Sequence, residues 1–221
     1  MIVVVGSRHD PVARALAASL PHGALCGADD LTRPGWCWPL NSPEPARWVV
    51  GGRVVDDGDV RGVWVRRNRV HAEELLGTHA DDRDYLAAEA TAFLGFVLTR
   101  TAARVANRPA DGALGDDALQ PEQWMAAAAK LGLAVAPLHL RSDGKATALG
   151  DTQVVEVAAG RSFGNAPAAQ QSQAAQLAAA LGLDYVSFIL DDRGRLLALS
   201  TQTEPGLRAR AALAASFGAG A

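Results

Sequence analysis

The chain has 221 residues, 49% of them hydrophobic and 20% charged, with a formal net charge of −3. This composition excludes a largely disordered chain, and a pI near 5.9 argues against general nucleic-acid or anionic-membrane binding. No run is apolar enough to span a bilayer, Met1 to Gly6 is too short for a signal peptide, and Cys26 and Cys37 alone make no disulfide scaffold, so a cytoplasmic protein of one large or two small domains is expected.

Ile2 to Val5 is a β-branched run that reads as a strand buried on both faces. Pro11 starts a helix with Val12, Leu16 and Leu20 on its apolar side, Gly23 breaks it, and Ala24 to Cys26 reads as a second strand. Strand, helix and strand in that order predict a parallel sheet. Trp36 to Trp38 and Trp48 to Val50 are short strand candidates, Gly51-Gly52 turns a hairpin into Arg53 to Val55, and Asp56 to Asp59 reads as a solvated turn. Gly62 to Val65 is a further strand. A helix over about Asp82 to Arg100 carries a broad stripe of Tyr85, Ala88, Ala92, Phe96 and Thr99 with Leu86, Phe93 and Val97 alongside, and Arg104 to Ala106 is a short strand. A Gly/Asp/Ala-rich loop at 110–118 is the candidate boundary, giving domains 1–112 and 113–221.

In the second half, helices at Pro121 to Leu131 and Ala168 to Leu181 each end in Leu-Gly-Leu, with strands expected at Leu133 to Val135 and Tyr185 to Leu190. Asp191 to Gly194 turns into a strand at Arg195 to Ser200, and a last helix covers Arg208 to Ser216.

Few residues announce chemistry. The turn after the first strand has one glycine and is no dinucleotide loop, although an anion near Ser7 and Arg8 at the helix start is an alternative to an ordinary turn. Five scattered histidines and two cysteines without CxxC spacing do not suggest zinc, and no serine sits in a GxSxG context. Arg61, Arg66, Arg67 and Arg69 form the densest positive cluster. They suit an acidic ligand, or else ion pairs to Glu73, Glu74 and Asp81 to Asp84.

Several segments, in order, resemble a known family. They are Ile2-Val3-Val4-Val5-Gly6 with Asp10-Pro11, Val63-Trp64-Val65-Arg66-Arg67, Asp82-Arg83-Asp84-Tyr85 with Glu89, and Val105-Ala106-Asn107-Arg108-Pro109. Gln120 to Trp124 and Leu131 to Pro137 continue the series, as do Leu181-Gly182-Leu183-Asp184-Tyr185, Asp192 to Arg195 and Glu204-Pro205-Gly206. Together they resemble the ATP-grasp ligases that modify ribosomal peptides, relatives of the microviridin-type and RimK-like enzymes. The resemblance implies an α/β protein: a Rossmann-like parallel-sheet pre-ATP-grasp domain followed by a reduced α+β ATP-grasp-like domain. It also implies chemistry in which ATP converts a carboxylate to an acyl-phosphate that an amine or hydroxyl attacks, with Mg²⁺ held by hard oxygen ligands.

The chain departs from that family where the chemistry is done. The family's metal-binding Asp falls on Ser187, its Glu on Ser200 and its Asn on Gln202, and the lysine before the proline is Gln120. No Asp or Glu lies between Arg193 and Thr203, and Lys130 and Lys145 are the only lysines. The interval from Pro137 to Ala168 is too short for the glycine-loop lid. The resemblance therefore implies a truncated, degenerate member with no catalytic residue, no cofactor and no metal, serving as a binding or assembly partner in peptide modification or natural-product biosynthesis. Its partner would be a protein or peptide, an active ATP-grasp ligase among them, and the chain itself would form a homo-oligomer. Trp64, Arg66, Arg67, Asn107 and Arg108 are the expected partner-binding face, combining aromatic surface with bidentate donors. The alternatives are a divergent ATP- and Mg²⁺-dependent ligase using Asp184, Asp191, Asp192 or Glu204, alone or completed by another subunit, and an unrelated Rossmann-like small-molecule binder.

Overall fold

A computed structural model describes residues 1–41, 44–109, 114–115, 120–137 and 151–218. Ser42, His139, Ser142, Lys145 and most of the 110–118 loop lie outside the described residues. The chain divides into two units, residues 1–118 with 214–221, and residues 119–213.

In the first unit β1 (Ile2–Gly6) is buried at every position, as its unbroken β-branched run predicts. It pairs in parallel with β2 (Gly23–Cys26) on one side and β5 (Gly62–Arg66) on the other, and β6 (Arg104–Ala106) completes the order β2-β1-β5-β6. Between β1 and β2 runs α1 (Pro11–Ser19), which has proline in its first turn and Asp10 as its N-cap, accepting from Val12 N at 2.8 Å. A short α2 (Ala28–Leu31) follows β2. Next, β3 (Arg47–Val50) and β4 (Arg53–Asp56) form the expected hairpin. Gly51 and Gly52 turn it, at φ 57° and 76°, a left-handed pair that a side chain would strain.

Three expectations change here. The candidate strand at Trp36 to Trp38 is a single bridge, Cys37 to Arg47, and the two indoles pack on Trp48 instead, at ring-centroid distances of 5.6 and 5.8 Å. The turn at Asp57 is not merely solvated, because its carboxylate accepts from Trp48 Nε1 (2.7 Å), Thr101 Oγ1 (2.6 Å) and Ala102 N (3.2 Å). Helix α3 (Arg83–Arg100) buries Ala87, Ala90, Leu94, Val97 and Leu98, a face that shares only Val97 with the predicted stripe, and Tyr85 is 71% exposed.

The second unit is built on an antiparallel sheet of order β10-β9-β7-β8, formed by β7 (Gln153–Ala158), β8 (Arg161–Gly164), β9 (Tyr185–Leu190) and β10 (Leu196–Ser200). The β7–β8 hairpin was not expected. The predicted strand at Leu133 to Val135 is one bridge, Val135 to Leu196. Helices α4 (Pro121–Lys130) and α5 (Ala168–Ala180) end at the two Leu-Gly-Leu junctions, with Gly132 and Gly182 at φ 71° and 68°. One face of the sheet packs Val155, Val157, Val186 and Phe188 against Trp124, Ala128 and Leu177. The opposite face carries polar groups. The last helix, α6, spans Leu207–Gly218, and its Phe217 lies in the first unit where any Cβ on Gly62 would strike the ring. Among the described residues no helix is long and apolar enough to cross a membrane.

Candidate functional site

Two places gather the residues singled out by sequence. The first is the carboxyl edge of the parallel sheet, where β1, flanked by β2 and β5, marks the point at which strand order reverses. Crevices at such points are the usual ligand position in parallel α/β sheets. Arg66 ends β5 and its Nη2 donates to Asp10 Oδ2 at 3.2 Å, tying the strand to the cap of α1. Arg67 follows, and its Nη2 meets Glu74 Oε2 at 2.5 Å. Both arginine side chains are 4% exposed. The ion-pair alternative to an exposed basic face is therefore realised by Glu74. Arg67 retains buried Nε and Nη1 atoms without an acceptor among the described residues.

Burial by itself would raise the Glu74 pKa, but the Ser7 hydroxyl, Arg67 and the His71 N–H outweigh it and hold the carboxyl below the ordinary glutamate value. A depressed carboxylate contributes stability that is present above its unfolded pKa of about 4.3 and lost as pH falls through the lower folded value. Glu74→Gln is accordingly expected to flatten the acid limb of a stability-against-pH curve below about pH 4.3, measured by urea melts at successive pH values. An unchanged acid limb would remove the linkage.

The other members of the predicted face serve the fold. Trp64 is 1% exposed, in the interior of the sheet, and presents no aromatic surface. Asn107 is buried just beyond β6. Arg108 runs back to the opposite end of the sheet, where its Nη1 and Nη2 donate to the carbonyls of Leu98, Thr99 and Ala103 at 2.8, 3.1 and 3.1 Å. It caps the end of α3 and does not join Arg66 and Arg67.

The second place is the polar face of the antiparallel sheet. Ser187 on β9 lies opposite Glu156 of β7 on one side and Ser200 of β10 on the other, so the three share one face. Ser187 is 1% exposed. Its Oγ is 2.5 Å from Thr203 Oγ1 and 3.3 Å from the Tyr185 hydroxyl, which is itself 3.0 Å from Thr203 Oγ1. The Tyr185 hydroxyl donates to Glu156 Oε1 at 3.2 Å, and the same oxygen accepts from Gly206 N at 2.8 Å. Burial, reinforced by the nearby Glu156 charge, raises the Tyr185 pKa in spite of its hydroxyl partners. Gln202 donates its N–H to Ser200 Oγ at 3.0 Å and its amide to Thr201 Oγ1 at 3.2 Å. Gln120 is exposed at the start of α4, where its carbonyl accepts from Gln123 and Trp124.

Glu156 is the residue that sequence reasoning missed. Its signal was present in Val154-Val155-Glu156-Val157, a strand-like run with one charge in it. Of the carboxylates offered as replacement ligands, Asp191 is taken up by its own turn, accepting from Arg193 N, Arg195 N and Arg195 Nε at 3.0, 2.8 and 2.7 Å. Burial opposes its ionisation, yet the Arg195 contacts hold its pKa below the usual carboxylate value. Glu204 is 67% exposed, 4.0 Å from Arg210. Among the described residues no three His, Cys, Asp or Glu side chains converge as a metal site.

No protein-family model matches the sequence, and no curated protein matches it. Solved structures do match its fold. The macrocyclase MdnC from Microcystis aeruginosa MRC, bound with precursor peptide MdnA, superposes with a TM-score of 0.72 at 11% identity, covering 100% of both chains. A RiPP-associated ATP-grasp ligase from Chryseobacterium gregarium, in complex with ADP and a leader and core peptide, gives 0.70 at 9% identity over 100% of this chain and 97% of that one. The ATP-grasp ligase PsnB, complexed with a phosphomimetic variant of minimal precursor, Mg and ADP, gives 0.65 at 16% identity over 99% and 97%. The chain has the mixed α/β fold of these ATP-grasp ligases.

Proposed function

We propose that this chain is a catalytically degenerate ATP-grasp-fold protein that acts as a binding or assembly partner in peptide modification and has no ligase activity of its own. The observation that carries the reading is the polar face around Ser187. A ligase of this kind needs Mg²⁺ held by several charged oxygens to offset the phosphates. At the matching positions this chain offers the neutral groups of Ser187, Ser200 and Gln202. The one carboxylate of the row, Glu156, already accepts from Tyr185 and Gly206. That donor set does not fit a magnesium site. The short interval between Pro137 and Ala168 supports the further reading that the glycine-loop lid is lost.

A peptide or protein partner is favoured because the superposed ligases MdnC, PsnB and the Chryseobacterium gregarium protein were crystallised with precursor, leader or core peptides. An active ATP-grasp ligase and a second copy of this chain are the other partners the reading admits, in the cytoplasm. The carboxyl edge at Arg66, Arg67 and Asn107 is the place proposed for that contact. Arg67 supports it, with two buried donors, Nε and Nη1, that lack acceptors among the described residues. Trp64 and Arg108 drop out because they are committed to the fold.

Calorimetry with ATP and ADP, in Mg²⁺ and again in EDTA, tests the reading. No heat that EDTA abolishes is expected at millimolar nucleotide. Metal-dependent binding at micromolar nucleotide would overturn the reading of Ser187, Ser200 and Gln202 as lost ligands and restore the ligase alternative.

A further inference from the structure

We infer that edge strand β8 carries a metal-independent oxyanion site, formed by Arg161 and Arg208 over the ring of Phe163, that takes a phosphate-type dianion. Arg161 and Phe163 are two residues apart on β8 and so share a face. Arg208, in the first turn of α6, reaches the same ring. The two guanidinium carbons lie 5.6 and 5.4 Å from the ring centroid, while both arginines are exposed and Phe163 is buried. The ring's negative face orients each guanidinium without consuming its N–H donors. Those donors match the geometry of a phosphate oxygen pair.

The charge pattern decides the ligand. The chain has more Asp and Glu, 24, than Lys and Arg, 21, yet among the described residues no carboxylate ion-pairs with Arg161 or Arg208. Glu156, directly opposite Phe163 in register, is the acid of this row, and its Oε1 already accepts from Tyr185 and Gly206. Two cations against one committed anion leave a local excess of positive charge. That excess stands on the same sheet face as Ser187 and Ser200, where no metal set assembles among the described residues, so arginine supplies the positive charge in place of a metal ion.

The proposal rests on the metal-free reading above only in needing no Mg²⁺. It is tested by titrating the full chain with inorganic pyrophosphate and, separately, with ADP, both in EDTA. Binding is expected in EDTA and is expected to weaken with added salt. Arg161→Gln and Arg208→Gln should each lower affinity by about tenfold without changing the melting temperature, since both side chains are exposed. Arg193→Gln, an exposed arginine at the β9–β10 turn, should leave affinity unchanged. The tighter of the two probes identifies the source of the phosphate group. Absence of binding in EDTA, or an equal loss in Arg193→Gln, overturns the site and leaves the degenerate-ligase reading standing. Binding that needs Mg²⁺ and ignores Arg161 and Arg208 overturns both.

Discussion

Asp30→Ala is expected to lower the unfolding free energy by about 4 kcal/mol. The Asp30 side chain has no exposed surface and satisfies three backbone donors: Gly27 N at 3.0 Å, Gly51 N at 3.1 Å and Gly52 N at 2.8 Å. Arg8 Nη2 stands 3.6 Å away. One carboxylate thus starts α2 and pins the β3–β4 turn, and its removal strands three N–H groups in the interior. Asp30→Asn keeps one acceptor oxygen. With that oxygen placed toward Gly27 and Gly51, its amide group would confront the Gly52 N–H, so Asparagine is expected to recover part of the loss and no more. Urea denaturation of the two variants beside the parent measures both effects. A loss under about 1 kcal/mol for Asp30→Ala would show that water or a rearranged turn replaces the carboxylate.

The second large effect is expected at Arg67. An alanine there leaves Glu74, whose side chain is 10% exposed, without its cation, and about 3–5 kcal/mol of stability goes with it. Removing both partners is expected to cost less than the sum of the single changes, because no charge then stays buried alone. A double-mutant cycle of Arg67→Ala and Glu74→Ala, read by urea denaturation, gives the coupling directly. Strict additivity would mean that the pair is solvated in solution. The Arg66 and Arg67 guanidiniums are both interior, so binding experiments at this edge need Arg67→Lys, which keeps the charge and removes the fork.

Local grammar carried much of the fold into the sequence. The proline at the head of α1, the Gly-Gly hairpin, the two Leu-Gly-Leu helix ends and the β-branched run of β1 each have a backbone cause, and each is found where it was expected. What was illegible was set by distance or by ambiguity of phase. Helix α3 has apolar residues on most of its surface, including Leu86, Phe93 and Phe96 outside the buried set, so periodicity alone did not select its buried side. Arg66 reads as a surface charge until the fold brings Asp10 to it from 56 positions away. Arg67 was more legible because Glu74 is only seven residues on.

The candidate site shows the same division. The ordered motifs led to Ser187, Ser200 and Gln202, and the fold places Ser187 and Ser200 side by side on one face of the sheet. That Glu156 stands beside Ser187 was not legible, because a cross-strand neighbour 31 positions earlier leaves no local mark. Strands β7 and β8 are unpredicted as well, although Val155 and Val157 alternate with Glu156 and a glycine turn follows. The length of the interval argues only against a glycine-loop lid and says nothing against a short hairpin.

The grouping of residues 214–218 with the first unit bears on how the protein is made. A ribosome delivers β1 to β6 first and Phe217 only after the whole of the second unit. Until then Gly62 presents a bare backbone where an aromatic ring belongs. The amino-terminal half of the nascent chain therefore emerges with an apolar gap at β5 and waits, incompletely closed, through the synthesis of the other half. Its completion waits on residues made after the second unit, and the order of translation is not the order of folding.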